Sequence, residues 1–225
     1  MGLFDRKRKE AEEIELDGRC MTVGAGTILA KVATEAARNG LTGLEFAAGI
    51  PGSLGGAIVM NAGAYDGEMK NIVTQVRALT RDGNVLTLSG EEMEFGYRMS
   101  RVKKEGLIVL SVTMLLEKKE QEVIYEKMND FAERRRDKQP LEYPSAGSTF
   151  KRPEGMFAGK LIMDAGLRGY CVGDAEVSKK HCGFVINKGN ATAQDIYRLV
   201  FEVQKKVNET FGVTLEPEVI FIGDF

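Results

Sequence analysis

A chain of 225 residues, with 28% charged and 43% hydrophobic residues, has the composition of a soluble globular protein and is long enough for one large domain or two small ones. A net charge of −2 without a basic domain-sized stretch argues against nucleic-acid binding, and no apolar run reaches the roughly 20 residues of a membrane span. The three cysteines (Cys20, Cys171 and Cys182) match no zinc spacing, so we expect free, buried thiols, no metal site and a cytoplasmic protein.

The first part of the chain predicts one strand and one helix. The charged lead-in is expected to be poorly packed, and a strand is expected at Met21–Gly26. Apolar residues at helical spacing then begin at Ile28, with Thr27 as the expected N-cap and Asn39-Gly40 as the expected end.

Three more strands are predicted before the middle of the chain. Alternating residues over 72–80 and a return strand over 84–89 flank Asp82-Gly83, a hairpin turn signal. The apolar, β-branched run over 107–116 is short enough for a buried strand. The charged residues that follow it, over 117–122, indicate a boundary between two lobes.

The second part predicts two helices and a closing strand. One helix lies within residues 120–138 and is ended by Pro140. The other begins at Thr192, which opens a capping-box pattern, and ends before Gly212. The Val- and Ile-rich stretch 214–223 predicts a final strand.

Small residues dominate Gly49–Gly67, and no charge interrupts them until Asp66. Glycine has a conformational cost, so this density has two explanations. Either the backbone presents N–H groups to a phosphate or a flat ring, or the segment is a buried tight turn between strands. The amide of Asn61, which both donates and accepts hydrogen bonds, favours a ligand only slightly.

Three polar residues have an ordinary explanation beside a functional one. Arg98, in F-G-Y-R-M-S, either contacts a ligand or pairs with Glu94 on the surface. Ser148 follows a glycine, where a ligand can approach the backbone, or it caps a turn. Glu218 begins an apolar stretch, where it contacts a ligand or faces solvent.

Two further features are more often structural than functional. The basic run Arg134-Arg135-Arg136 with Lys138 complements the dipole of its helix, or it clamps a phosphate or carboxylate. His181 is the only histidine, and a lone histidine is more often a satisfied structural residue than a catalyst.

Together these segments are much more specific than they are singly. In order and wording they resemble the UDP-N-acetylenolpyruvoylglucosamine reductases, also called UDP-N-acetylmuramate dehydrogenases, from Met21 to the C-terminus. The matching motifs are L-E-F-A-A-G-I-P-G-S-L-G-G-A (Leu44–Ala57), N-A-G-A-Y (Asn61–Tyr65), F-G-Y-R-M-S (Phe95–Ser100), S-A-G-S-T-F-K-R-P (Ser145–Pro153), A-G-L-R-G-Y (Ala165–Tyr170), G-F-V-I-N (Gly183–Asn187) and L-E-P-E-V-I-F-I-G (Leu215–Gly223).

The resemblance implies an α+β fold. Residues 1–118 would form a partial flavin-binding domain of the vanillyl-alcohol-oxidase type, and residues 119–225 a smaller α+β substrate-binding lobe. It further implies a monomeric, cytoplasmic enzyme of peptidoglycan synthesis without nucleic-acid or membrane partners. NADPH would reduce bound FAD, which would deliver hydride to a small-molecule UDP-sugar, UDP-N-acetylglucosamine enolpyruvate, to give UDP-N-acetylmuramate.

The resemblance also carries roles to matching residues. Arg98 and a protonated Glu218 would stabilise the negative charge that develops on the substrate carboxylate, and Ser148 would be the general acid. The residues implied to bind substrate or the phosphates of NADPH are Tyr97, Arg134 and Lys138. The residues implied to line the flavin are Ile50, Pro51, Gly52, Gly55, Gly56, Asn61, Ala62 and Gly63.

The chain departs from the family in two places. Family members carry a further segment ahead of the matching region, with a loop that grips the FAD pyrophosphate, and this chain has only a short charged stretch there. Arg152 stands where some relatives have asparagine. The first departure leaves an alternative: a truncated, non-catalytic remnant that binds UDP-sugars without redox chemistry.

Overall fold

The computed structural model of the protein describes residues 11–224. The chain divides into two compact units, Met1–Glu133 and Arg134–Phe225. The division falls inside a long helix, later in the chain than residue 118, where the sequence analysis placed it. Most of the predicted lead-in lies outside the described residues.

A five-stranded antiparallel sheet is the centre of the first unit. The strands of this unit are β1 (Ile14–Asp17), β2 (Cys20–Gly24), β3 (Leu41–Thr42), β4 (Gly63–Ala64), β5 (Gly67–Glu68), β6 (Val73–Leu79), β7 (Val85–Ser89), β8 (Ile108–Leu115) and β9 (Glu117–Lys118). The order of strands across the five-stranded sheet is β1-β2-β8-β6-β7. Strands β3 and β9 form a separate pair, as do β4 and β5.

The strand predictions for this unit are confirmed for β2, β6, β7 and β8. From Ile14 onward the lead-in forms a strand that was not predicted, since β1 pairs with β2 around a turn in which Gly18 has a φ of +61°. The side chains of β1 are mostly exposed, in keeping with the poor packing that was expected. The charged stretch after β8, where the sequence indicated a boundary between lobes, begins with β9, which pairs with β3.

The helices of this unit are α1 (Leu29–Arg38), α2 (Leu54–Val59), α3 (Arg101–Glu105) and α4 (Gln121–Lys138), which contains the division, with short 3-10 helices at Glu45–Ala47 and Met69–Asn71. Alternate strand residues such as Met21, Val23, Val112 and Met114 are fully buried in one core with the apolar residues of α1 and α2. Asn39 and Gly40 end α1 as predicted, with Gly40 at a φ of +64°.

The prediction of Thr27 as the N-cap of α1 is wrong. Ile28 occupies that position, and no side chain caps the helix. Instead the backbone of Gly52 accepts the N–H of Leu29 at 2.9 Å, so a distant segment satisfies the first donor of the helix. The Thr27 hydroxyl is buried and has no hydrogen-bond partner in the described part of the chain.

The second unit has a four-stranded antiparallel sheet packed against two helices. Its elements are β10 (Ser145–Ser148), α5 (Ala158–Asp164), β11 (Cys171–Val172), β12 (Ala175–Val177), β13 (Phe184–Asn187) and α6 (Ala193–Phe211), and the sheet order is β10-β13-β12-β11. The capping box of α6 forms as predicted between Thr192 and Asp195, and Gly212 ends the helix at a φ of +68°. The α+β class is therefore confirmed in both units.

The predicted final strand is wrong. Beyond α6, pairing is limited to a single bridge between Phe150 and Pro217. Proline has no N–H to extend a ladder, and Ile220 and Ile222 are 78% and 86% exposed.

The cysteine prediction is half right. All three thiols are free, and Cys182 is buried. Cys20 and Cys171 are exposed instead. Cys20 opens β2 beside its hairpin turn, and Cys171 lies on the edge strand β11.

Candidate functional site

The glycine-rich segment lies against the turn that precedes α1. Leu29 donates its N–H to the carbonyl of Gly52 (2.9 Å), and Leu54 donates to the carbonyl of Thr27 (2.8 Å). These two bonds form an isolated antiparallel bridge. The segment is therefore one side of a paired loop whose other side is the start of the helix.

The two explanations for the glycines apply at different positions. Gly55 donates its N–H to Ala25 at 2.9 Å, and a Cβ at Gly55 would lie 3.1 Å from the Ala25 Cβ, so glycine permits a close backbone contact there. Gly52 has a φ of +131°, and a Cβ at that position would meet nothing within 4 Å. Gly55 is thus structural, whereas Gly52 has open space beside it.

Exposed backbone donors accompany that open space. The N–H groups of Gly52 and Ser53 find no acceptor among residues 11–224. Pro51 and Gly56 are exposed on either side of them, and Ile50 is half-buried. Unpaired backbone donors at an open glycine suit a phosphate or the polar edge of a flat ring, so these residues fit the flavin that the sequence implies.

The later residues of the predicted flavin lining are more enclosed. Ala62 is buried, and its N–H donates to Ala57 while its carbonyl accepts from Met69. A Cβ at Gly63 would lie 2.7 Å from Cγ of Glu68, so this glycine permits the close pairing of β4 and β5. Both residues have structural duties, and contact with a flavin stays a prediction for them.

Asn61 links three parts of the first unit. Its side-chain nitrogen donates to a carboxylate oxygen of Glu68 (2.9 Å) and to the carbonyl of Gly96 (3.1 Å), and its side-chain oxygen accepts from the N–H of Lys70 (2.9 Å). The residue is 1% exposed and has a φ of +42°. Both amide hydrogens are engaged within the protein, so the side chain has no donor left for a cofactor.

Arg98 lies at the tip of a tight turn. Gly96 and Met99 exchange backbone hydrogen bonds of 3.0 and 3.2 Å, which leaves Tyr97 and Arg98 between them. Tyr97 is 55% exposed, and the Arg98 guanidinium lies 5.3 Å from the centre of its ring. Glu94, the alternative partner considered for Arg98, forms an ion pair of 2.7 Å with Lys104.

Ser148 and Glu218 belong to segments that pair in the second unit. Glu218 donates its N–H to the carbonyl of Thr149 at 2.8 Å, and Lys151 donates to the carbonyl of Glu216 at the same distance. Ser148 is exposed, and its hydroxyl donates to the carbonyl of Phe150 at 3.3 Å. The fold thus places the predicted acid one residue from the backbone partner of Glu218.

His181 lies near Ser148 and has a structural hydrogen bond. Its Nδ1 accepts the N–H of Gly183 at 3.1 Å, so Nδ1 is unprotonated in this arrangement. A Cβ at Gly183 would lie 2.9 Å from Cε1 of His181 and 3.7 Å from the hydroxyl of Ser148, which puts both side chains beside this glycine. Burial lowers the pKa of His181, and the charge of Lys138 lowers it further.

Arg134 and Lys138 lie four residues apart near the end of α4, and both are exposed. Residues at this spacing share a helix face. The end of the helix is also tied to the turn before β13, since Lys180 donates to the carbonyl of Arg136 at 2.7 Å. Basic side chains in the last turn of α4 are placed to complement the helix dipole, and phosphate binding stays a prediction.

The predicted site residues fall into two groups. The first unit holds the glycine-rich residues with Tyr97 and Arg98, and the second holds Ser148, Glu218, Arg134 and Lys138. Each group is assembled from segments far apart in the sequence. The meeting of Arg98, Ser148 and Glu218 around one substrate stays a prediction.

Sequence analysis missed three residues that support these groups. Ser100 is fully buried and donates its hydroxyl to Val59 at 2.7 Å. Lys103 donates to the carbonyl of Arg98, and the hydroxyl of Thr149 accepts the N–H of Val185. Ser100 also caps α3, because its hydroxyl accepts the N–H of Lys103. Serine is a preferred N-cap residue, so the sequence held a signal for the start of this helix.

Residues 11–224 offer neither a metal-binding cluster nor a membrane-spanning helix. No group of three or more His, Cys, Asp or Glu side chains in that range is placed to hold a metal ion. Within the same range, every helix is too short or too polar to cross a bilayer.

The sequence matches two family descriptions. Residues 4–89 match an FAD binding domain, and residues 139–222 match the C-terminal domain of UDP-N-acetylenolpyruvoylglucosamine reductase. The flavin prediction is thereby confirmed at the level of the family.

Individual relatives match both parts together. The chain is 59% identical over 208 residues to the UDP-N-acetylenolpyruvoylglucosamine reductase of Lachnoclostridium phytofermentans, covering 92% of this chain and 67% of the relative. It is 56% identical over 217 residues to that of Agathobacter rectalis, covering 96% of this chain and 69% of the relative. The crystal structure of the Thermus caldophilus reductase matches with a TM-score of 0.76 and 42% identity, over 88% of this chain and 71% of that one.

Proposed function

Because this chain belongs to the UDP-N-acetylenolpyruvoylglucosamine reductase family, we propose that it reduces UDP-N-acetylglucosamine enolpyruvate to UDP-N-acetylmuramate with NADPH as reductant. When bound, FAD would carry the hydride from NADPH to the double bond of the enolpyruvyl group. The product is a precursor of peptidoglycan. A monomer and a cytoplasmic location accompany the proposal as predictions.

The observation that carries the proposal is that each unit gathers distant candidate segments. Asn61 bonds Gly96 at the base of the Arg98 turn, beside the glycine-rich segment. Thr149 bonds Glu218 beside the hydroxyl of Ser148. These pairings supply, in two groups, the residue types that the reaction requires.

In the first unit, the proposed contacts are with the cofactor and the substrate carboxylate. The N–H groups of Gly52 and Ser53 would hold a polar group of FAD, with Ile50, Pro51 and Gly56 beside it. The guanidinium of Arg98 would face the carboxylate of the enolpyruvyl group. A fixed positive charge there is worth most at the moment when negative charge develops on the substrate.

In the second unit, the proposed work is proton transfer and phosphate binding. Ser148 would give its hydroxyl proton to the substrate carbon next to the carboxylate. A serine hydroxyl is a weak acid, so the alkoxide that forms needs stabilisation from its neighbours. A protonated Glu218 would donate a hydrogen bond to the negative charge that develops on the substrate carboxylate. Arg134 and Lys138 would hold phosphates of the substrate or of NADPH.

The test is spectroscopic first and kinetic second. The purified chain is titrated with FAD and its visible spectrum recorded, and NADPH oxidation is then followed with and without the enolpyruvyl substrate. We expect flavin uptake and substrate-dependent oxidation. A colourless chain that turns over nothing after FAD is added would overturn the proposal, and calorimetric binding of the substrate without flavin uptake would favour the non-catalytic remnant.

A matched pair of serines isolates the proton donor. Ser148→Ala should abolish turnover while substrate affinity is kept. Ser145→Ala, in the same strand β10, should leave turnover close to wild type. Equal turnover in the two variants would remove Ser148 from the proposed role.

A further inference from the structure

The Arg98 turn is conformationally strained. Arg98 has a φ of +54°, in the left-handed region that residues with a Cβ rarely adopt. Tyr97 precedes it, and no glycine occupies either tip position. A conformation of this kind persists only where its surroundings over-determine it, and such strain concentrates at functional sites.

Two side chains hold this turn by donating hydrogen bonds to its backbone carbonyls. Lys103 donates from Nζ to the carbonyl of Arg98 at 3.0 Å, and Asn61 donates to the carbonyl of Gly96 at 3.1 Å. Lys103 also lies 3.3 Å from the sulfur of Met60, the residue before Asn61. Both ends of the turn are therefore attached to the segment that immediately follows α2.

The surroundings of Lys103 are unusual for a lysine. The side chain is half-buried, and no carboxylate in residues 11–224 forms an ion pair with it. Its neighbour Lys104 has the ordinary arrangement, an exposed ammonium paired with Glu94 at 2.7 Å. A hydrogen bond from a charged donor to a carbonyl is stronger than one from a neutral donor, so the ammonium suits the task of holding a strained backbone.

We propose that Lys103 is a positioning residue for Arg98. By fixing the carbonyl of Arg98, it keeps the turn left-handed and keeps the guanidinium at the angle at which it meets a substrate carboxylate. This inference rests on the proposed function of Arg98. It also gives Asn61 a role as the second attachment point of the same turn.

The test measures recognition of the carboxylate without using the flavin. The affinity of the chain for UDP-N-acetylmuramate is divided by its affinity for UDP-N-acetylglucosamine, which lacks the lactyl carboxylate, both measured by calorimetry. Arg98→Met sets the reference for a lost guanidinium, and we expect it to lower the ratio about tenfold. Lys103→Met should lower the ratio by a similar factor, Lys103→Arg should largely restore it, and the matched control Lys104→Met should leave it unchanged.

Amide hydrogen exchange provides a readout on the folded chain alone. The N–H groups of Gly96 and Met99 close the turn, so they should exchange faster in Lys103→Met and at the wild-type rate in Lys104→Met. Unchanged exchange of both amides in Lys103→Met would overturn the inference whatever the ligands do.

The outcomes separate the two proposals. If Arg98→Met lowers the ratio and Lys103→Met does not, the positioning role is refuted and the proposed function stands. If Arg98→Met leaves the ratio unchanged, the role of Arg98 in the proposed function is refuted, and the positioning role falls with it.

Discussion

The N–H of Val185 on β13 donates to the hydroxyl of Thr149 at 3.0 Å, in the buried interior of the second unit. Thr149 therefore bonds β13 through its side chain and Glu218 through its carbonyl. One buried threonine, which directly follows the candidate acid Ser148, thus bonds its own segment both to β13 and to the segment that carries the candidate carboxyl group.

Removing this hydroxyl should destabilise the second unit. Thr149→Val keeps the shape of the side chain but leaves the buried N–H of Val185 without its partner, which costs about 1–3 kcal/mol. Urea unfolding followed by circular dichroism should show that loss, whereas Thr149→Ser should retain most of the stability. Equal midpoints for the valine and serine variants would contradict the importance of the bond.

Two glycines of α2 should respond oppositely to alanine. Gly55→Ala brings a methyl group to 3.1 Å from the Cβ and 3.2 Å from the carbonyl oxygen of Ala25. That carbonyl accepts the N–H of residue 55 and cannot easily move away, so we expect destabilisation. Gly56→Ala meets only the Ser53 hydroxyl, at 3.6 Å, and should stabilise the unit by up to about 1 kcal/mol because alanine favours a helix.

The same pair distinguishes structure from ligand binding. Thermal unfolding gives the stability of each variant, and an FAD titration gives its flavin affinity. A Gly56→Ala chain that is stable and binds FAD normally would show that Gly56 does not need to be glycine for the cofactor.

Glu45 should make the first unit sensitive to acid. Its carboxylate is 3% exposed and accepts hydrogen bonds from the Thr42 hydroxyl and the Gly43 N–H, with the Lys127 ammonium 4.0 Å away. Burial raises the pKa of Glu45, but these partners outweigh it and the pKa is lowered. The native state therefore favours the charged form, and its contribution to stability is present at neutral pH.

Glu45→Gln should thus lower the free energy of unfolding by about 1–3 kcal/mol at pH 7. The difference between wild type and variant should shrink as the pH falls below the ordinary value of 4.5 and through the lower pKa of the folded state. Urea unfolding at a series of pH values measures this. A difference that stays constant into acid would contradict the role of the ionised carboxylate.

His181 offers a direct titration, because the chain has no other histidine. Burial and the charge of Lys138 lower its pKa, so the imidazole should titrate below 6.5 in proton NMR of a tag-free chain. Folding favours the neutral ring, so stability should decline as the pH falls below 6.5. Lys138→Met should move the midpoint upward, and Arg134→Met should leave it in place.

Local sequence signals predicted the elements whose ends are set locally. Helix α6 has its own capping box and its own terminal glycine, and the β6–β7 hairpin has Asp82-Gly83 at its turn. Both could be predicted without knowing what they pack against. The same holds for β8, which lies in the middle of its sheet with Val109, Val112 and Met114 buried.

Distant contacts explain the errors. Thr27 does not cap α1, because Gly52 satisfies the first donor of that helix from another part of the chain. The apolar run after Glu218 forms no strand, because apolar character alone supplies no neighbouring strand to bond with. Periodicity reports which residues favour burial, but it does not report which segment arrives beside them.

The candidate site shows the same limit. The residue types at Arg98, Ser148 and Glu218 could be chosen from their motifs, and the pairing of the last two segments could not. Asn61 was chosen for a ligand, whereas its amide joins segments of the protein. Asn61 lies just after α2 with a positive φ, as an asparagine that ends a helix often does, and of these two features the sequence offered only the asparagine after an apolar segment.

The bond between Thr149 and Glu218 has a consequence for synthesis of the chain. A growing polypeptide presents Ser148 well before Glu218 leaves the ribosome, and the intervening strands and α6 must emerge first. Pairing of such separated residues is slow to form and is among the last events of folding. The bond between Thr149 and Glu218 is therefore expected to form late, after α6 has emerged, so the candidate acid and the candidate carboxyl group come together only near the end of folding.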